Sequence, residues 1–181
     1  LYTYTGNQLT ALQESVRTSL PEDIYQPGAT PNGTYEYDAN GNMKKDSRKS
    51  LTFNYNYLDL LSEIKQNNQT ASSYLYSADG TKLGVRDGDD SSGYDYVGSL
   101  IYKKESGILL LESAMFGDGQ LVSNGIQYFL TDHLGSVRSV VDNSGIVQEQ
   151  NDFYPFGSKQ VHTDYASNDN RFLFSGKERQ S

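Results

Sequence analysis

A pair of tyrosines one residue apart, followed by a tight turn, recurs along this 181-residue chain. It opens as YTYTGNQL at Tyr2 and returns as YEYDANGNM at Tyr35, YNYLDLLSEI at Tyr55, YLYSADGTKL at Tyr74 and YDYVGSLIY at Tyr94. Counted from Tyr35, the starts lie 20, 19 and 20 residues apart. A repeat of that length is one supersecondary unit, and it buries its apolar face only by stacking on its neighbours. Residues i and i+2 of a strand share a face, so the pairs Tyr35/Tyr37, Tyr55/Tyr57, Tyr74/Tyr76 and Tyr94/Tyr96 each present two rings side by side. Such rows pack across strands, and tyrosine suits a thin sheet whose faces are both partly wet, because its hydroxyl keeps a bond to water.

The turns have their own chemistry. Asp38-Ala39-Asn40-Gly41, Ser77-Ala78-Asp79-Gly80 and Asp142-Asn143-Ser144-Gly145 share Asp or Ser first and Gly fourth. The first side chain accepts a hydrogen bond from the backbone two residues on, and glycine supplies the left-handed conformation that starts a bulged hairpin. An apolar residue then restarts the strand, expected at Met43, Leu83 and Ile146, so each period reads as one β-hairpin. The copy at Tyr55 lacks the turn glycine, and YTGNQL is shorter by about two residues.

The same template decides the most enzyme-like stretch, TDHLG. Asp132 beside His133 could be a base with its orienting carboxylate, but there is no cysteine and no serine in a G-x-S-x-G setting. Asp132-His133-Leu134-Gly135 instead matches the turn, Asp first and Gly fourth, which leaves His133 exposed at a central position. SVRSVV, residues 136–141, then reads as a strand with Val137 and Val140 or Val141 available for burial. Arg138 either pairs with a carboxylate, caps a carbonyl or stays solvated. RDGDDSSG, residues 86–93, has the acidic spacing of a Ca²⁺ loop without its glycine and glutamate, so an acidic hairpin tip is the better reading. His162 is a lone loop histidine.

Elsewhere the signals are weaker. Leu9, Leu12, Val16 and Leu20 have helical spacing undercut by Thr10, Thr18 and Ser19, which suggests a strand followed by a loop or a short turn of helix. Hairpins are expected around Glu105-Ser106-Gly107 and at FGDGQLV, a loop over SKQVHTDYASNDN, and a last aromatic strand at RFLFSG. No linker or composition shift divides the chain, which points to one continuous domain. Fifteen Tyr, seven Phe and seventeen Gly against four Pro, no Trp and no Cys lean all-β. A net charge of −8 would repel a phosphate backbone, and no apolar run is long enough to span a bilayer as a helix. Without cysteine there is neither a disulfide framework nor a thiolate metal site, and no cofactor is expected. Because the opening already reads as strand, the chain is expected to be an excised segment with any export signal upstream.

YEYDANGNM and YLYSADGTKL resemble the YD repeat of bacterial Rhs proteins, whose animal relatives are the teneurins. YFLTDHLGSVRSVVDNSGIVQEQNDFYPFG followed by NRFLFSGKE resembles the Rhs repeat-associated core, through Asp132, His133, Leu134, Gly135 and Arg138, then Asp142 and Gly145, then Tyr154, Pro155 and Gly157, then FSGKE. The resemblance assigns residues 1–127 to YD-type hairpins, least clearly over 7–34, and residues 128–181 to the start of a truncated core. It implies consecutive antiparallel hairpins in a curved ribbon-like sheet, part of a spiral β-shell that encloses a C-terminal toxin or effector domain. Family cores cleave themselves at an Asp-Pro motif; no Asp-Pro pair occurs here, so no enzymatic role is expected. The implied partners are upstream repeats and a downstream effector of the same polypeptide, in a secreted or bacterial cell-surface protein. Raw sheet edges would favour self-association. The alternative is a cell-surface β-domain that binds glycan or protein through exposed tyrosine rows.

Overall fold

The computed structural model describes residues 1–13, 32–155, 157–160 and 170–179. The expected helical or loop stretch after Gln13 and His162 lie outside these residues. The described residues form two compact units, divided between Leu111 and Glu112.

The first unit holds β1 (Tyr2–Thr5), β2 (Gln8–Gln13), β3 (Asn32–Tyr37), β4 (Met43–Asp46), β5 (Leu51–Tyr55), β6 (Leu61–Gln66), β7 (Gln69–Tyr76), β8 (Lys82–Asp87), β9 (Gly93–Val97), β10 (Leu100–Glu105) and the start of β11 (Ile108–Phe116). The second unit holds the end of β11, β12 (Gly119–Val122), β13 (Gly125–Thr131), β14 (Val137–Asp142), β15 (Val147–Gln150) and a short 3-10 turn at Phe174–Gly176. Within each unit the strands are antiparallel and the order in the sheet is the order in the chain. The all-β hairpin meander that the repeat predicts is therefore what forms.

One loop geometry recurs. Tyr37 lies opposite Met43, Tyr55 opposite Leu61, Tyr76 opposite Lys82, Thr131 opposite Val137 and Val141 opposite Val147. The isolated bridges Phe153 to Lys159 and Phe172 to Glu178 have the same offset. In all seven loops the first N–H donates to the fifth C=O and the fourth N–H to the first C=O, at 2.7–3.2 Å. The fourth residue has φ between 58° and 92°: glycine in six loops, Asp59 in the seventh. Glycine adopts that conformation without steric cost, and Asp is among the few other residues that tolerate it.

This frame corrects two expectations. Tyr55 occupies the second tyrosine position, with Phe53 in the first, and Tyr57 sits exposed in the turn. The true counterparts Tyr37, Tyr55 and Tyr76 are 18 and 21 residues apart, so the even spacing mixed two positions. The strand restarts two residues after the left-handed glycine: at Met43 as expected, but at Lys82 and Val147 rather than at Leu83 and Ile146. Leu83 and Ile146 are exposed.

Little is buried in the first unit: Leu12 and Ile101 are its only fully buried hydrophobics among the described residues. Its cohesion is polar and local. The Tyr37 hydroxyl donates to the Leu9 carbonyl (3.0 Å) and the Tyr55 hydroxyl to the Met43 carbonyl (2.8 Å). Each reaches the point where the preceding hairpin's register shifts. Those hydroxyls were expected to bond water; they instead tie one hairpin to the next. Burial, and then the Asp38 charge, push the Tyr55 pKa up, which keeps it a donor. On the loop rim, Asn40 and Asn42 both donate to Asp59 Oδ1 (2.7 and 3.1 Å).

Candidate functional site

In the second unit the recurrent loop is used to hold other loops. Asp132 Oδ1 accepts the N–H groups of Leu134 (3.0 Å) and Ser136 (2.9 Å), and Asp142 Oδ1 those of Ser144 and Ile146 (2.8 and 2.9 Å). The Ser136 N–H, helped by Leu134 and the Arg138 charge, holds the Asp132 carboxyl below its usual pKa. His133 is exposed at the second loop position, and Asp132 spends its oxygen on backbone. The pair is a turn.

The loop from Leu173 to Lys177 has no Asx at its first position, so the N–H of its third residue lacks the usual acceptor. Ser136 Oγ supplies it, accepting Ser175 N–H at 3.0 Å. In return the Val137 N–H donates to the Leu173 carbonyl at 3.0 Å. Gly135 and Gly176 meet so closely that a Cβ on Gly176 would lie 3.3 Å from the Gly135 carbonyl oxygen. The DHLG and FSGKE motifs, forty residues apart or nearly so, are thus two halves of one docking contact (|i−j| = 39 for Ser136 and Ser175).

The YPFG motif is the third part. Tyr154 N–H bonds Ser158 O, Gly157 N–H bonds Tyr154 O, and Gly157 has φ +92°. Phe174 lies against Gly157, where a Cβ would sit 2.9 Å from its ring, and packs edge-on against Phe153 with centroids 5.6 Å apart. Arg138 pairs with Asp152 at 2.6 Å and stands 5.8 Å over the Phe153 ring. Of the sequence-chosen core residues, Asp132, Gly135, Arg138 and Gly157 are brought together, whereas Asp142 and Gly145 close a separate turn.

Sequence reasoning missed the buried polar residues. Glu149 is 1 % exposed and pairs with Lys159 Nζ at 3.3 Å. Asn151, equally buried, donates its Nδ2 to the Val137 carbonyl at 3.1 Å. Arg171 joins Glu112 (2.7 Å) and Glu178, and Asn170 closes a local turn with Phe172. A polar alternation such as VQEQN gives no hint that its Glu is the buried member.

In the first unit, Tyr74 and Tyr96 face Lys82, whose Nζ lies 5.3 and 5.4 Å from the ring centres, and they are half-buried. At the 86–93 tip, Asp90 pairs with Arg86 and Lys104, both at 3.2 Å, and Asp89 accepts the Ser91 N–H. Among the described residues, no three His, Cys, Asp or Glu side chains are grouped to hold a metal ion. No helix there is long and apolar enough to cross a membrane.

Against solved structures, this chain superposes on a chain of the Photorhabdus luminescens Tc holotoxin pore with TM-score 0.58 and 16% identity, covering 96% of this chain and 12% of that one. A TcdB2–TccC3–Cdc42 structure gives TM-score 0.60 at 16% identity, covering 99% of this chain and 11% of the other. A TcdB2–TccC3 structure without its hypervariable C-terminal region gives 0.57 at 17%, with coverage of 99% and 11%. The fold is that of a stretch of these toxin-complex chains. No family model and no curated protein matches the sequence. The chain spans about an eighth or less of the length of the chains it resembles.

Proposed function

We propose that this chain is a structural wall segment of a larger Rhs-type β-shell, that its residues 128–181 begin the closing core, and that the shell encloses a C-terminal effector domain of the same secreted or surface polypeptide. The observation that carries this is the shared loop geometry: seven loops of one kind close successive hairpins, and some of them are joined to one another, through Asn40 and Asn42 with Asp59 and through Ser136 with Ser175. The fold likeness to TcdB2–TccC3 chains supports the same reading, as does the existence of a hypervariable C-terminal region in that neighbour. The segment acts by sealing, with no catalysis of its own. Its partners are flanking repeats and the enclosed effector. The tyrosine-row alternative gains nothing from rings that face Lys82 and are half-buried.

The test uses the natural polypeptide that contains residues 1–181. Limited proteolysis should leave the sequence downstream of the core protected in the intact protein and expose it after Gly157→Ala or Leu173→Ala loosens the core. A downstream region cut equally fast in both would overturn enclosure.

A further inference from the structure

Three Asn-Gly pairs occur in the chain: Asn32–Gly33, Asn40–Gly41 and Asn124–Gly125. Asn-Gly is the sequence most open to succinimide chemistry, because glycine's backbone nitrogen meets no side chain of its own as it approaches the asparagine Cγ. The structure separates the three. Asn40 is clamped: its N–H donates to Asp38 Oδ1 (2.9 Å) and its Nδ2 to Asp59 Oδ1 (2.7 Å). Asn32 lies in β3 opposite Gln13, and the Arg48 side chain covers Gly33 so closely that a Cβ there would overlap it. Asn124 is exposed in the two-residue turn between Val122 and Gly125, and the space around Gly125 is open, with nothing within 4 Å of where its Cβ would stand.

We propose that Asn124 is a site of spontaneous deamidation, which fixes a chemical lifetime for the β12–β13 hairpin. The Gly125 nitrogen attacks Asn124 Cγ, a C–N bond forms, and the side-chain amide leaves as ammonia. The Gly125 N–H proton passes through solvent to that departing nitrogen and completes the ammonia. Water then opens the succinimide at either carbonyl, giving aspartate or isoaspartate; no oxidant or reductant is involved. Each product adds one negative charge. Isoaspartate also inserts a methylene into the backbone of a turn that fixes the register of Val122 with Gly125. Two rungs along that ladder, past Leu121 and Ile126, is the Gln120 to Gln127 side-chain bond (2.8 Å), with Gln120 buried.

The experiment incubates the folded protein at mildly alkaline pH and maps Asp and isoAsp by mass spectrometry at all three asparagines, beside the same protein held in urea. In the folded state Asn124 should convert at least about tenfold faster than Asn40, which must first give up side-chain hydrogen bonds. In urea the three rates should converge, since all share the same Asn-Gly sequence. Amide exchange at Gln120 should accelerate in aged protein and not in aged Asn124→Gln. Equal folded-state rates at Asn40 and Asn124 would overturn the proposal, and so would an inert Asn124 under conditions that modify the unfolded chain.

Discussion

The two units build with one loop and reach opposite economies of burial. In the first, Asp38, Asn56 and Ser77 open loops that sit at hairpin ends, and hairpins are tied by tyrosine hydroxyls and rim amides. Its hydrophobic contribution is small, because few apolar side chains leave water. In the second, the loops opened by Asp132 and Leu173 dock on each other, and a third is pinned by Phe174, around buried Val137, Val140 and Leu173. A ladder tolerates the loss of a rung; a docked cluster does not. The two should therefore respond to substitution on different scales, with changes in the first staying local.

The largest effect is expected at Gly157→Ala. The residue has φ +92° and a Cβ would meet the Phe174 ring at 2.9 Å, so strain and overpacking add to about 3 kcal/mol. Hydrogen exchange should show loss of protection throughout β13, β14 and the 170–179 segment, with β3 to β8 unchanged. Uniform loss across both units would erase the contrast. Uncoupling the docked loops is the next step down. Ser136→Ala removes the acceptor of Ser175 N–H from a fully buried site and should cost about 1–2 kcal/mol. Ser136→Thr keeps the oxygen and should restore most of it, which an argument from packing alone would not expect.

How far the sequence could be read depends on which of these economies a residue serves. The hairpins were legible because Tyr-x-Tyr and Asp-x-x-Gly are local signals: strand alternation and a left-handed fourth residue each depend on neighbours only a few positions away. Frame errors came where a signal was ambiguous. FNYNY offers two aromatic pairs to the eye, Phe53–Tyr55 is the structural one, and Asp59 takes the place of the missing glycine. DHLG was legible as a turn for the same local reason. Its docking to FSGKE was not, because Ser136 meets Ser175 across 39 residues, and nothing in either stretch advertises the other. Glu149 shows the same limit: burial of a carboxylate depends on Lys159 arriving from a separate loop.

In the first unit the corresponding tests are smaller. Tyr37→Phe and Tyr55→Phe each remove one hydroxyl bond to a neighbouring hairpin and should cost about 1 kcal/mol. Because the tyrosines serve different hairpins, the pair should be nearly additive, checked by urea titration of the double variant. A strongly non-additive pair would mean that the ladder is cooperative after all.

The smallest effect at neutral pH, and the one that acts on both units alike, concerns the turn carboxylates. The Ser77 hydroxyl, then the Thr81 N–H, bring Asp79 down to about 2, and Asp132 and Asp142 are lowered by the Ser136 and Ile146 amides that they accept. A carboxylate whose folded pKa is depressed adds stability above its unfolded value and loses it as pH falls through the folded one. Stability should thus decline below about pH 4, as Asp132 and Asp142 become poorer acceptors for their two amides each and Asp79 for the Thr81 amide and the Ser77 hydroxyl. Asn56 performs the same task without titrating, accepting Leu58 and Leu60 N–H at 2.9 and 3.1 Å. Asp132→Asn together with Asp142→Asn should therefore leave the second unit folded at pH 7 and shift its acid midpoint downward. The first unit, with Asp79 intact, should keep its own acid response, followed by exchange at β7 and β8. If the double variant denatures in acid at the parent midpoint, the loops are not what acid loosens, and the docked side chains would have to be the sensitive part.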